Sequence, residues 1–439
     1  LLTAVHSVET IHNAERMGIN ATLQSIDFGR LRDFRVSTVE TMTKGLTGLL
    51  AHRGVTVFRG CAALQNAHTV RVTPAEGETQ VSRSVEAGVF EPVETELAID
   101  ADDVVLATGS RPLALPGNPF AGALIDSTQA LELNTLPSSA VIIGAGAVAL
   151  EFASLWNAAG CEVTLLIRKD RVLSTWERRA SMTLTRELKR RGVNVIARTA
   201  VDRVDTGANL GATVHYRQGD SDEDRTAYGE VVLAAIGRVP NTDADWFRSS
   251  GLKLDERGYV TVDGYGRTNL DGVWALGDIT PGHALAHRAF EQGITIAEKI
   301  AGADPKPVLD DTVPQVVFSF PEAASVGLTL DQAKAREDVV EPKETAYPML
   351  SNARMLMSGE GGSMTVVSGA FANNPDMQVV LGVHIVSPIA SDLIAEAEQL
   401  VGNRVPLADA ARLIHPHPTF SETLGEALLK ADGRPLHTR

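Results

Sequence analysis

The stretch SSAVIIGAGAVALEFASLWNAAGCEVTLLIRKD, residues 138–170, decides how this chain is read. Apolar residues run from Ala140 to Ile143, a glycine turn follows, a helical stretch runs to Gly160, and a second apolar strand ends at Ile167. Strand, crossover helix and strand in so short a span make a βαβ unit, whose strands pair in parallel. Inside it GAGAVA, Gly144 to Ala149, fits the spacing G-x-G-x-x-G/A. In such a turn Gly144 permits the sharp bend, Gly146 lets the backbone approach a pyrophosphate, and Ala149 keeps helix and strand close. The phosphates then rest on the helix N-terminus, where free N–H groups and the macrodipole favour anions. The competing reading is a small-residue packing turn, and the complete βαβ context argues against it.

The end of the second strand selects the nucleotide. A carboxylate there holds the ribose 2′-OH of NAD, whereas Arg or Lys accommodates the 2′-phosphate of NADP. This chain has Arg168 and Lys169 after Ile167, with Arg171 following, so NADP is favoured. Asp170 keeps NAD open, and the bland alternative for the cations is a solvated strand end.

Upstream, Leu1, Val5, Val8 and Ile11 lie at helical spacing, which predicts an amphipathic helix ending at a glycine within the first 20 residues. A second helix is expected over roughly 33–52, and residues 65–100 alternate as hairpins or a meander would. DDVVLATGSRPLALPG, 102–117, reads as a strand, a glycine turn and a Pro-rich boundary loop. Downstream come the strands EVVLAAIGRVPNT and DGVWALGDIT and a helix beginning near His287. From about residue 310 the pattern changes to alternating strands, two helical stretches and the closing HPHPTFSETLGEALLK.

The 439 residues suffice for two to four domains. A net charge of −15 argues against nucleic acid or anionic membranes as partners, and no apolar run is long enough to span a bilayer. Two cysteines, Cys61 and Cys161, cannot build a disulfide framework, which favours a reducing, cytoplasmic setting.

LATGSRPLALPG, GAGAVALE, IGRVPNTD, ALGDIT, LAHRA and HPHPTFSE occur in this order, and with them the chain resembles the flavoprotein disulfide reductases, most of all the dihydrolipoamide dehydrogenases. The resemblance implies an α/β protein with two Rossmann-like three-layer nucleotide-binding domains and an α+β C-terminal dimerisation domain. Residues 1–134 and 259–308 would form the FAD-binding domain, 135–258 the NAD(P)-binding domain and 309–439 the interface domain of a homodimer. It further implies that Gly109, Asp278 and the backbone near Ala286 lie at FAD, that Gly237 is a cofactor-binding residue, and that Glu151 pairs with a lysine beside the reactive flavin edge. Read without the family, Asp278 is equally a turn residue and Glu151 an exposed helix glutamate, although Leu150, Phe152 and Ala153 crowd the latter.

HPHPTFSE places two histidines near a glutamate. By the resemblance His417 is the acid/base that takes a thiol proton, and Glu422 orients its ring. Against this stands a structural reading in which Thr419 and Glu422 are the T-x-x-E capping box of the helix TLGEALLK. His415 reads as a neighbour and not a base.

The chain also departs from the family. The FAD pyrophosphate turn and the C-x4-C redox pair are not found in it, and Leu1 reads as lying just past them; roughly forty to fifty further residues are expected for a strand, turn, helix and reactive loop. Cys61 and Cys161 read as small buried side chains, not replacements. Three functions stay in contention. One is electron transfer between NAD(P)H and a small disulfide such as lipoamide through FAD, with a 2-oxoacid dehydrogenase complex as an open partner and disulfide chemistry idle in a shortened chain. The others are an NAD(P)H:quinone reductase or nucleotide transhydrogenase, and a catalytically inactive nucleotide-binding dimer.

Overall fold

A computed structural model describes residues 1–207 and 211–438 and divides the chain into two compact units. The first comprises 1–28, 112–237 and 311–439, and the second 29–111 and 238–310.

The first unit is built around a five-stranded parallel sheet in the order Asn194–Ala197, Glu162–Ile167, Ser139–Ile143, Val231–Ala234 and Leu124–Ile125. Both faces of this sheet are covered, which is why residues 140–143 are apolar without alternation. Ala140, Ile142, Leu165 and Ile167 face one side, against Leu150, Ala153 and Trp156 of the helix Ala147–Ala158 and Leu184 and Leu188 of the helix Arg178–Arg190. Val141, Ile143 and Leu166 face the other, against Val214 and Tyr216 of the antiparallel sheet Thr199–Asp205, Ala212–Gln218 and Arg225–Gly229. Three layers result, and the register Ile143 with Leu166 and Ala234 aligns the carboxyl ends of the strands at one edge. Nucleotides bind at such an edge in open α/β sheets.

The helix Leu2–Asn13 puts Val5 and Val8 into the same apolar cluster as Leu150 and Trp156, continues as the 3-10 turn Ala14–Met17 and stops at Gly18, φ 79°. The C-terminal part of the unit holds an antiparallel sheet in the order Gln315–Val317, Glu322–Gly327, Asn374–Ser387, Ser363–Phe371 and Val339–Tyr347. The helices Ala390–Gly402 and Glu422–Ala431 pack Leu393, Ile394, Leu424 and Leu428 against it. Between residue 310 and the closing segment, where two helical stretches are expected, the structure contains Ala390–Gly402, the four-residue Leu407–Ala410 and two six-residue helices, Leu330–Ala335 and Ala353–Ser358. Six residues are too few for a periodic signal; what starts each is a cap, Thr329 with Gln332 and Asn352.

The second unit contains the parallel strand pair Val104–Leu106 and Val273–Ala275, around which Leu64, Phe247, Val260 and Ile279 form a core. The segment expected as hairpins forms two three-stranded antiparallel sheets, Phe58–Arg59 with Ser82–Glu86 and Val89–Pro92, and Cys61–Asn66 with Thr69–Thr73 and Leu97–Asp100. The helix expected over 33–52 begins earlier, spanning Phe28–His52, and buries none of its residues.

Candidate functional site

In the first unit the strand Ser139–Ile143 ends at Gly144, whose φ is 141°. A Cβ there would stand 2.2 Å from the Ala235 carbonyl oxygen and 3.4 Å from Ala149 Cβ, so this position is closed to any side chain. Gly146 differs. It is the N-cap of the helix at φ −90°, ψ −177°, and a Cβ on it would meet nothing within 4 Å. The turn therefore presents an open backbone face beside a helix N-terminus that carries no side-chain cap. Ala149 is fully buried between helix and sheet. Free first-turn amides next to open space suit a pyrophosphate, so the residues present fit a dinucleotide.

Arg168 and Lys169 follow the strand Glu162–Ile167 and are exposed. The carboxylate that could serve a ribose 2′-OH is engaged: Asp170 accepts two bonds from Arg171, at 3.0 and 3.3 Å, and Arg171 also donates to the Ser174 carbonyl. A further cation that sequence reasoning did not find lies alongside. The register Ile167 with Ala197 continues as a bond from the Arg198 N–H to the Lys169 carbonyl at 3.0 Å, and Arg198 is exposed with φ 58°. Only strand pairing brings Arg198 there, 29 positions on from Lys169 in the chain.

Glu151 lies in the second turn of the fingerprint helix, half-buried. Its Oε1 accepts from the Phe318 N–H at 3.1 Å, and Ser154, one turn on, accepts from the Phe320 N–H. Burial pushes the Glu151 carboxyl above its usual range, and the Phe318 N–H opposes that only in part.

In the second unit Gly109, at φ 71°, follows the strand Val104–Leu106, and its carbonyl accepts from the Asn241 N–H. Thr108 and Asn241 exchange two further bonds of 2.9 Å, so the ATG turn and the VPNTD turn are tied together. Asp278 sits in the 3-10 turn Gly277–Ile279 and accepts from the Ser110 hydroxyl at 2.5 Å, while Arg238 donates to that same hydroxyl at 2.6 Å. Among the described residues the other Asp278 oxygen makes no hydrogen bond, which leaves an acceptor for a cofactor hydroxyl. Ala286 opens the helix Ala286–Ile300, again without a side-chain cap. Gly237, in the first unit, has φ 145° and an open face.

The C-terminal loop brings His417 and Glu422 together, Nδ1 to Oε1 at 2.7 Å. With Nδ1–H donating to the carboxylate, Nε2 carries the lone pair. Nε2 makes no hydrogen bond among the described residues, and the side chain is 77% exposed. The second Glu422 oxygen accepts from the Thr419 N–H at 2.7 Å. The capping-box reading is thus half realised: Glu422 reaches back to the Thr419 amide, but Thr419 Oγ1 turns to the Pro416 carbonyl and Ser421 is the N-cap. The same carboxylate both orients the histidine and braces the helix start. Burial would raise Glu422, but the Thr419 N–H, the His417 bond and the charges of His417 and His437 outweigh it and hold the carboxyl below its usual value.

Cys61, expected to be buried, is instead exposed at the start of the strand Cys61–Asn66, whereas Cys161 is buried as expected, its thiol pushed up to about 12 by burial and by Glu230 and Glu162. A thiol so held stays neutral and unreactive. Among the described residues no three His, Cys, Asp or Glu side chains gather as a metal site, and no helix is long and apolar enough to cross a membrane.

A fingerprint turn at a parallel sheet edge, with a carboxylate-held histidine in the C-terminal domain, defines a class of nucleotide-linked redox protein. Residues 2–293 match the pyridine nucleotide-disulphide oxidoreductase family, and residues 313–428 match the dimerisation domain of that family. The chain belongs to this family. It is 35% identical to dihydrolipoyl dehydrogenase of Geobacillus stearothermophilus over all of this chain and 87% of that one, and 32% identical to that of Bacillus subtilis with the same coverage. The crystal structure of LpdA from Mycobacterium tuberculosis matches with a TM-score of 0.81 at 25% identity, over 98% of this chain and 88% of that one. The family resemblance drawn from the ordered motifs therefore holds, and so does the mixed α/β fold class. The protein is an NAD(P)H- and FAD-dependent disulfide oxidoreductase.

Proposed function

We propose that this homodimeric protein passes electrons between NADPH and a small dithiol/disulfide substrate of the lipoamide type, with His417 as acid/base and Glu422 as its orienting carboxylate. The observation that carries the reading is the 2.7 Å contact between His417 Nδ1 and Glu422 Oε1 behind an exposed Nε2. FAD, when bound, supplies the hydride and electron transfer that no side chain can perform.

The chain's own part begins at Gly146, whose open face and adjoining helix amides receive the nucleotide pyrophosphate. Arg168, Lys169 and Arg198 give the 2′-phosphate cationic partners, while the exposed Asp170 pairs with Arg171. At the thiol end, His417 Nε2 takes the proton of a substrate thiol, so that the sulfur reacts as thiolate. Glu422 keeps the tautomer and stabilises the imidazolium that forms. In sum a dithiol loses two electrons and two protons to become a disulfide, and NADP+ gains a hydride while one proton is released. Asp278, with one carboxylate oxygen unengaged, and Gly109 would hold FAD from the second unit.

His417→Gln tests this. Turnover of dihydrolipoamide should fall by about 10²–10⁴-fold, while oxidation of NADPH by a quinone is retained. Equal loss with both acceptors, or no loss with the dithiol, would count against the acid/base role. A second reading, quinone reduction or hydride transfer between nucleotides, is favoured by the inert setting of Cys161. Hydride transfer that survives alkylation of all thiols, with no dithiol turnover, selects it.

A further inference from the structure

The loop that carries His417 holds a second histidine in a different setting. The His415 side chain is 9% exposed, against 77% for His417. His415 Nε2 contacts Glu396 Oε1, on the helix Ala390–Gly402, at 2.9 Å. The ring lies directly on Gly425 of the helix Glu422–Ala431, where a Cβ would come within 2.4 Å of Nδ1 and 2.8 Å of Cε1. Only glycine allows that seat. Nearby, Asn352 donates to the Thr419 carbonyl at 3.0 Å, and Pro416 and Pro418 restrict the backbone on either side of His417.

We propose that His415, bonded to Glu396 and seated on Gly425, is a positioning residue that clamps the loop to two helices and so aims the His417 ring. The proposal rests on the acid/base role given to His417 above. His415 is no second base, since its side chain is largely enclosed and its Nε2 is engaged. The clamp and the acid/base are two positions apart with only Pro416 between them, a span of at most about 7 Å, so a released His415 lets His417 swing about Glu422. A displacement of about 1 Å at a reacting group can cost on the order of 10²-fold in rate.

The clamp has a pH signature. The charged groups facing His415 are Glu396 from one helix and Glu422 from the other, with the Leu413 carbonyl on its own loop. The Glu396 bond raises the imidazole above its ordinary value although burial opposes it, and Leu413 and Glu422 add to the rise. A raised value means that the ion pair is complete below the ordinary histidine range, about 6.5, and is lost as pH rises through the raised value.

The test uses the FAD-loaded full chain as wild type, His415→Ala, His415→Gln and Glu396→Gln. With dihydrolipoamide, His415→Ala should lower kcat by about 10- to 100-fold and leave KM within about twofold, with quinone reduction unchanged. Amide hydrogen exchange over residues 413–421 should speed up while the helix Ala390–Gly402 keeps its protection. His415→Gln, which can still donate to Glu396, should recover most of the loss, and Glu396→Gln should move the alkaline limb of the pH profile to lower pH. Equal loss with dithiol and quinone, or unchanged loop exchange in His415→Ala, overturns the clamp. Exchange needs no turnover, so a wild type inactive toward dithiols refutes the proposed function while the clamp is still judged by the loop.

Discussion

The fingerprint turn 144–149 and the histidine loop 415–422 are both short, rich in residues that restrict or free the backbone, and placed at the start of a helix. They work by opposite means. The turn acts through what it lacks: Gly144 has no room for a Cβ and Gly146 leaves space for a ligand. The loop acts through side-chain contacts: His417 is held by Glu422 within it, while His415 is held by Glu396 and the Thr419 carbonyl by Asn352, both from other segments. A backbone device is written in consecutive residues, whereas a side-chain device is completed by the fold.

The contrast can be broken first at Gly144. Gly144→Ala forces a Cβ against the Ala235 carbonyl at a φ of 141° and should destabilise the nucleotide-binding part by about 3 kcal/mol or more, measured by denaturant unfolding. Gly146→Ala has an ordinary φ and open space, so its stability should stay within about 0.5 kcal/mol of wild type while nucleotide affinity falls about tenfold. If the two variants behave alike, the division of labour inside the turn is wrong.

Next in size is the charge at the strand end. Reversing Arg168 and Lys169 to glutamate should cut kcat/KM for NADPH by roughly 10²-fold and leave NADH nearly unchanged. A parallel drop for both nucleotides would show that the cations do not read the 2′-phosphate.

The smallest effect belongs to the loop's structural half. Glu422→Gln weakens the brace on the Thr419 amide and should cost about 1 kcal/mol at neutral pH. Because the Glu422 carboxyl titrates below its usual value, its stabilisation is present above the unfolded-state value, about 4.3, and is lost as pH falls through the lower folded value. The gap between wild type and variant in thermal unfolding should therefore close in acid. A gap that widens in acid would mean that Glu422 is held in another way.

The parallel sheet was legible because a strand covered on both faces must be apolar along its length, as Ala140–Ile143 is. His417 and Glu422 were legible as a pair, being five positions apart. Arg198, Glu396 and Gly425 were not, since each reaches its role through strand register or helix packing. The helix Phe28–His52 starts five residues before the expected 33, although Phe28, Leu31 and Phe34 lie at helical spacing, so its start was legible and was passed over.

By itself the sequence set out the glycine turn and the order of the motifs, which a few consecutive residues specify, and through the family resemblance it offered His417 as the acid/base candidate. Tertiary structure alone decided that Arg198 stands beside Lys169, that Glu396 meets the His415 ring, and that this ring lies on Gly425. Each is a choice of partner among several within reach, and packing settles which one a side chain meets.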